Sequence, residues 1–462
     1  MCCKSIKNIV LIVLFLFVIV DVLCILLFLL RDCTNLKVRL NFCFTQIESI
    51  MIQNKKVFGL VLLCMMASFS FGSSVCLKKS AIKFYSIATK SNEDFSSGTK
   101  DECGAVYSRD GKCLLKVPQD LVEYKVKDGT EVIADAAFSG CKIEKIILPP
   151  SLKNIRPYAF SEVFTLKNLV LPEGMEKIDS LAFADFFSLE SITIPNSVRT
   201  IGEYAFKNCE HLKSIRLPKG IKRIERCTFD CCYELKSVYI PENLDFIAED
   251  CFGNCYNLER IEVAPSNRKF CSADGVLYSK DKKTLIVFPG TNGGEKTAVI
   301  AEGTEAIGAH AFDTFYSCFD FEPSRTVFIP KSLKDVRNID FSLLVSVEVA
   351  ESNPVFCSAD GFLLLKDRKS LVACPAGKVA EGKLVVPDGI ETIRSNAFDG
   401  LHFDVLELPS SISQIEDNVF IEVETPDGNE LIKSILVPKG TIAKFQKMIP
   451  TKFHSLMRET CK

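Results

Sequence analysis

The chain has 462 residues, 47% hydrophobic and 10% aromatic, which is ample material for a large apolar core. Its 56 Lys and Arg against 58 Asp and Glu give a formal net charge of -2, so it lacks the basic field that binds nucleic acid by counterion release, and no nucleic-acid partner is expected. The 35 Phe against no Trp, and the 21 Cys, show one aromatic and one thiol being reused, so internal repetition has to be sought before domains are counted.

Residues 9–30, IVLIVLFLFVIVDVLCILLFLL, are long enough to cross a bilayer and are interrupted only by Asp21. A second apolar run follows Met51. Lys55 and Lys56 supply its positive start, an apolar stretch runs from Val57 to about Phe69, and Ser70 and Gly72 stand where a signal peptidase needs small residues. Residues 51–72 therefore read as a secretory signal peptide. Two export signals in tandem are redundant, so translation is expected to begin at Met51, with residues 1–50 a hydrophobic upstream extension. The alternative is a membrane anchor at 9–30 with 57–71 as a second embedded stretch. Both place the remainder outside the cytoplasm, secreted or at the cell surface, with membrane contact only through an uncleaved N-terminal segment. Cys64 and Cys76 lack the preceding small residue of a lipidated cysteine, which disfavours a lipoprotein.

Residues 73–128 are expected to form an N-terminal cap containing a hairpin at 104–118, and regular repeats follow over 129–264. Pro149, Pro172, Pro195, Pro218 and Pro241 recur at a spacing of 23. Eleven residues after each comes a phenylalanine: Phe160, Phe183, Phe206, Phe229 and Phe252. Phe138 precedes them, Phe341, Phe398 and Phe420 hold the same offset later, and Phe312 keeps the position without its proline. A fixed period of this length predicts a solenoid whose turns cannot bury their apolar faces alone. In LKSIRLP, Leu212, Ile215 and Leu217 point inward and alternate with exposed positions, as in a short strand stacked on its neighbours. The proline ends that strand because it has no amide to donate. A second apolar pair, such as Val198 and Ile201, turns the chain back, and the phenylalanines are expected to stack as one continuous interior column. Three residues after the Phe, Cys141, Cys209, Cys232 and Cys255 are expected to be buried as small hydrophobes.

This unit, with its AFxxC and IxIPxSV-like stretches, resembles the BspA-like leucine-rich repeat family over about residues 130–450. The fold class expected is a repeat solenoid, a β-rich leucine-rich repeat array with short strands, single helical turns and β-hairpin insertions. The final run ILVPKGTIAKFQKMIP is similar to the closing unit of such bacterial proteins, a last strand followed by a short capping helix. The resemblance implies a secreted or surface-exposed protein linked to adhesion to host proteins, matrix or other microbes, and it supplies no catalytic residues.

The rhythm breaks twice. EVAPSNRKFCSADGVLYSKDKKTLIVFPG at 262–290 matches EVAESNPVFCSADGFLLLKDRKSLVACPA at 348–376, and Asp-Gly at 274–275 and 360–361 predicts a β-hairpin in each. The insertions are bounded at 265–299 and 351–386, with repeats over 300–350 and 387–437 and a capping unit over 438–462. They are expected to shield and space the array, with a ligand-bearing ridge as the alternative.

Catalytic chemistry finds little purchase. Cys227, Cys231, Cys251 and Cys255 form CxxxC pairs in adjacent turns, but Cys255 falls at the buried position and Cys231 and Cys232 cannot both face inward, so neither metal nor other cofactor is expected. The four histidines, His211, His310, His402 and His454, flank no nucleophile motif, and no P-loop, dinucleotide fingerprint or HExxH occurs. No enzymatic activity and no small-molecule substrate are expected. The surface freest to carry contacts is the exposed row of the first strands, Thr193, Arg216, Tyr239 and Glu262, flanked by Lys213, Lys236 and Arg260. A mixed row with Tyr and Arg suits a protein ligand. Against this reading stands a structural spacer of the envelope whose polar face is merely solvated; a secreted hydrolase is disfavoured.

Overall fold

The computed structural model describes residues 98–291, 296–315, 325–420 and 432–460. The export segments expected at 9–30 and 51–72 lie outside the described residues. Among those described, no helix is long and apolar enough to cross a membrane.

Each turn of the array contributes two short strands and one compact corner. The first strands pair in parallel with the strand one repeat on: Asn168–Val170 with Ser191–Thr193, and Ser214–Arg216 with Ser237–Ile240 and then Arg260–Val263. In each, the central residue is buried and its neighbours lie outside; Leu169, Ile192, Ile215, Val238 and Ile261 line the core. The proline that follows opens a tight turn, with the Pro195 carbonyl accepting from the Val198 N–H at 3.2 Å and the Pro218 carbonyl from Ile221 at 3.3 Å. The two-residue second strands form their own parallel ladder, Val132–Ile133, Asn154–Ile155, Lys177–Ile178 and Thr200–Ile201.

The corner that carries the phenylalanine is held by residues in the left-handed region. Two positions before the Phe, Ala136, Tyr158, Leu181, Tyr204 and Cys227 have φ of 52, 56, 62, 57 and 49°. Two positions after it, Glu162, Asp185, Asn208, Cys231 and Asn254 have φ of 56, 60, 57, 61 and 56°. Such a conformation costs about 1–2 kcal/mol for a residue with a Cβ. Cross-turn hydrogen bonds offset it: the N–H of Tyr158, Leu181 and Tyr204 donates to Leu181, Glu203 and Arg226 in the next turn at 2.8 to 3.0 Å. The N–H of Asp185, Asn208 and Cys231 likewise reaches Lys207, Asp230 and Gly253, each at 2.9 Å.

The phenylalanine column is real but interrupted. Rings from Phe138 through Phe160, Phe183, Phe206 and Phe229 to Phe252 follow one another at 4.9 to 5.6 Å. Among the described residues no ring pair joins Phe252 to the column that resumes with Phe288 and Phe312 at 5.8 Å. Phe341 does not enter a column; it sits half-buried in the 3-10 turn Phe341–Leu343, where Asp340 caps the Ser342 amide. The expectation of one continuous column is corrected accordingly, because the inserted strands take up the place of a turn.

Each insertion is a three-stranded meander, one strand more than a simple hairpin. Phe270–Ala273, Val276–Ser279 and Thr284–Val287 pair antiparallel in order, and the last then pairs in parallel with Ala306–Ile307 of the following turn. Phe356–Ala359, Phe362–Leu365 and Ser370–Ala373 repeat this arrangement and join Thr392–Ile393. Asp274 and Gly275 have φ of 52 and 83°, and Asp360 and Gly361 of 50 and 79°, the two left-handed residues that a two-residue hairpin with the right twist requires. The meander buries both faces. Leu277 and Val287 belong to the core of the first array, whereas Val276, Tyr278 and Leu285 belong to that of the next. It therefore closes one core and founds another, the geometry of a divider with little side-chain surface left for a ridge.

Each meander is entered through a buried asparagine. Asn267 donates to the carbonyls of Pro241 and Leu244 at 2.8 and 3.0 Å and accepts from the Lys269 and Phe270 amides, both at 2.8 Å. Asn353 does the same with Pro330, Leu333, Val355 and Phe356 at 2.8 to 2.9 Å. At the C-terminus the short helix Ile442–Phe445 is not the last element. The chain continues through a 3-10 segment into Met457–Glu459, which pairs in parallel with Ser434–Val437, so a strand closes the sheet where a helix was expected.

Candidate binding face

The first-strand sheet presents parallel rows of outward side chains, because every second residue of each strand points away from the core and successive strands are in register. One row contains the four residues singled out from sequence. Arg216, Tyr239 and Glu262 are directly in register on three hydrogen-bonded strands. Thr193 lies on the preceding strand but belongs to a separate two-stranded sheet, opposite Val170. Thr193, Arg216 and Glu262 are exposed and Tyr239 is half-buried. The Arg216 guanidinium carbon stands 4.4 Å from the centroid of the Tyr239 ring, a cation–π contact that holds both long side chains in one orientation. Glu262 is engaged from its own strand by Arg260 at 2.9 Å.

The lysines that flank this row, Lys213 and Lys236, are already engaged by carboxylates. Glu190 bridges Lys167 at 2.9 Å and Lys213 at 2.5 Å, and Lys236 reaches Glu259 at 3.4 Å. Hydrogen bonds from Lys213 and Lys167 hold the Glu190 carboxyl down to about 2. Between this charged row and the Arg216 row, Asn168, Ser191, Ser214 and Ser237 form a strip of small polar side chains, with Ser191 donating to Asn168 at 2.6 Å.

Residues 118–199, 176–273 and 381–436 match the family model described as the BspA type leucine rich repeat region, in 6 copies. These turns belong to the BspA-type leucine-rich repeat family. No curated protein matches the sequence. Among solved structures, the pneumococcal vaccine antigen PcpA is similar with a TM-score of 0.50 and 17% identity, over 79% of this chain and 97% of that one. A leucine-rich cell surface protein of Faecalibacterium prausnitzii covers 76% of this chain and 96% of its own at 19% identity and a TM-score of 0.45. A leucine-rich repeat protein of Bacteroides ovatus covers 80% and 100% at 19% identity and a TM-score of 0.39.

The cysteines of the BspA-type turns are explained by the same register. Cys209, Cys232 and Cys255 are buried, and each thiol donates to the carbonyl of a ladder phenylalanine in the previous turn, Phe183, Phe206 and Phe229, at 3.1 to 3.3 Å. Where the position holds Phe186 instead, its ring stacks on Phe160 at 5.7 Å. Burial pushes the thiols of Cys209, Cys232, Cys251 and Cys255 far above the ordinary range. Half-buried Cys231 is pushed to about 12 and Cys227 to about 11, in both cases first by burial and then by the Asp230 carboxylate. Among the described residues no three His, Cys, Asp or Glu side chains converge as metal ligands would, and no disulfide joins two cysteines. His211 and His310 are exposed and are engaged by Glu234 and Asp313, each at 2.8 Å.

These thiol environments make a testable difference. In the native protein Cys103, which is exposed, should react with a maleimide within minutes, whereas Cys209, Cys232 and Cys255 should react only as fast as the array opens. Mass spectrometry of the labelled peptides decides the matter, and early labelling of Cys232 would remove it from the core.

Proposed function

We propose that the protein is a non-enzymatic, exported binding protein that engages a protein ligand, of the extracellular matrix, a host surface or another cell, through the first-strand face. The observation that carries this reading is the Arg216–Tyr239 contact on three strands in strict register. A rigid array fixes the spacing of the row, and the stacked pair is ordered before a ligand arrives, so little side-chain entropy is left to lose on association. Tyr and Arg are the side chains most often dominant at protein interfaces. The BspA-type repeats and the solenoid fold support a binding scaffold, and the expected signal peptide at 51–72 supports export, with a mature N-terminus near Ser73. N-terminal sequencing of secreted protein that returned residues 1–50 would remove the cleavage at Ser73.

The double variant Arg216→Ala, Tyr239→Ala should weaken binding to an immobilised ligand by at least about tenfold, roughly 1.4 kcal/mol. Its circular dichroism and melting curve should remain those of the parent, because Ile215, Leu217, Val238 and Ile240 keep the inward contacts of both strands. Screening immobilised matrix and host-surface proteins against both forms tests the reading. Equal binding by parent and variant would take the Arg216 row out of the interface. The spacer alternative is favoured by the self-satisfied charges around Glu190 and anticipates no saturable binding to any of them.

A further inference from the structure

Each meander is preceded by three hydrogen-bonded first strands, and the outward rows on these two sets of strands correspond position by position. In the first array the row is Arg216, Tyr239 and Glu262, and the Ile261 amide on the last strand donates to the Gly275 carbonyl at the meander's tip at 2.8 Å. In the second the strands are Thr297–Val299, Arg325–Ile329 and Leu344–Val349, and the row is Val299, Phe328 and Glu348. There the Val347 amide donates to the Gly361 carbonyl at 2.9 Å. Both rows therefore place an aromatic ring on the middle strand and a carboxylate on the last. Tyr239 and Phe328 are half-buried, and Glu262 and Glu348 are exposed.

The two rows differ in their cations. In the first array the chain fills the site itself: the Arg216 guanidinium carbon lies 4.4 Å from the Tyr239 centroid, and Arg260 holds Glu262 at 2.9 Å. The corresponding positions of the second array are Val299 and Ser346, which carry no charge, and the Ser346 hydroxyl is bonded to that of Thr326 at 2.7 Å. Lys378 is turned to the Phe362 ring at 5.7 Å. Among the described residues neither a cation nor a second ring lies against Phe328, and the Glu348 carboxylate has neither an ion pair nor a hydrogen bond. Val299 is 56% exposed and too short to cover the ring beside it.

We propose that Val299, Phe328 and Glu348 form a site for an arginine side chain of a protein partner, which takes the place that Arg216 and Arg260 hold in the first array. The occupant is argued from that array, where the same sheet geometry carries one guanidinium on the ring of the next strand and another on the carboxylate. Adjacent strands are about 4.8 Å apart, so a guanidinium lying against Phe328 is within one strand spacing of Glu348. Its plane covers the ring while its paired N–H groups donate to the carboxylate, and the Val299 methyls border its apolar stem. Lysine has the charge without the plane, and a neutral planar side chain the plane without the charge. The site belongs to a different array from the Arg216 row and stands whether or not that row binds a ligand.

The test titrates the full chain with a fluorescent Gly/Ser peptide bearing one arginine, and with matched peptides carrying lysine or citrulline in its place, up to millimolar concentration. The arginine peptide should bind most tightly, lysine several-fold more weakly, and citrulline at least about tenfold more weakly. Glu348→Gln should lower arginine-peptide affinity about tenfold with an unchanged melting curve, and Phe328→Leu should lower it several-fold. Val299→Arg restores the arrangement of the first array, so the chain's own guanidinium should occupy Phe328 and compete the peptide away, whereas the uncharged Val299→Gln should weaken it far less. The Arg216→Ala, Tyr239→Ala variant should bind the peptide as the parent does. No measurable binding of the arginine peptide, equal binding of arginine and citrulline, or full affinity in folded Glu348→Gln or Val299→Arg would each overturn the proposal. So would loss of peptide binding in the Arg216, Tyr239 variant, which would move the arginine site to the first array.

Discussion

Phe206→Ala is expected to destabilise the array by about 3 to 5 kcal/mol, the cost of a lost buried ring plus the cavity it leaves. Phe206 has no solvent exposure and lies between Phe183 at 5.2 Å and Phe229 at 5.6 Å, so its removal exposes a ring face on each side. The column offers no easy collapse, because each ring is fixed by its own backbone amide; the Phe206 N–H donates to the Thr228 carbonyl at 2.9 Å. In a solenoid a defect in the middle also weakens coupling between the halves, so urea unfolding should become broader as well as shift to lower denaturant. Phe341→Ala serves as the comparison. Its ring is half-buried outside the column, and its loss should be about 1 kcal/mol. A shift for Phe206→Ala no larger than that for Phe341→Ala would mean that the column does not hold the array together.

Asn267→Ala should cost nearly as much, about 4 kcal/mol, although it deletes no apolar group. The side chain satisfies two carbonyls and two amides at once, and each buried partner left without a hydrogen bond costs about 1 kcal/mol or more. Asn267→Asp should fare no better despite its shape, because it sets a carboxylate oxygen against the Pro241 and Leu244 carbonyls where an amide now donates. Asn353→Ala should show a loss of the same size in the second meander, since its four partners are equivalent. Hydrogen exchange would localise the effect: amides of Phe270–Ala273 should lose protection in the Asn267 variants while those of the Ser214–Arg216 strand keep theirs. A change below about 1 kcal/mol for Asn267→Ala would show that water replaces the amide, and that the asparagine is not what anchors the meander.

Much of this architecture was legible in the order of residues, because the turns are stacked in register and identical environments select identical side chains. The period of 23, the inward Ile215 and Val238, the buried Phe206 and Cys232, and the Asp-Gly turns at 274–275 and 360–361 all follow from positions that repeat. Asn267 and Asn353 were within reach too, as the shared Ser-Asn of the two matching segments, but an asparagine in a polar stretch is indistinguishable from turn chemistry until its four partners are seen.

Other features had no such signature. The left-handed corners carry Ala, Tyr, Leu and Cys before the Phe and Glu, Asp, Asn and Cys after it, so backbone hydrogen bonds to the next turn select the conformation and the side chain does not. Phe341 keeps its offset from Pro330 yet leaves the column, because what places a ring in the core is the turn beneath it and not the spacing behind it. The outward rows were the least readable of all. That Lys213 is consumed by Glu190, that Arg216 lies on Tyr239 and that Thr193 stands in another sheet than Arg216 are relations between residues 23 positions apart. Burial imposes a residue type that can be recognised in one repeat, whereas a surface contact is defined only by which neighbour the stacking brings alongside, and that is decided by the tertiary structure.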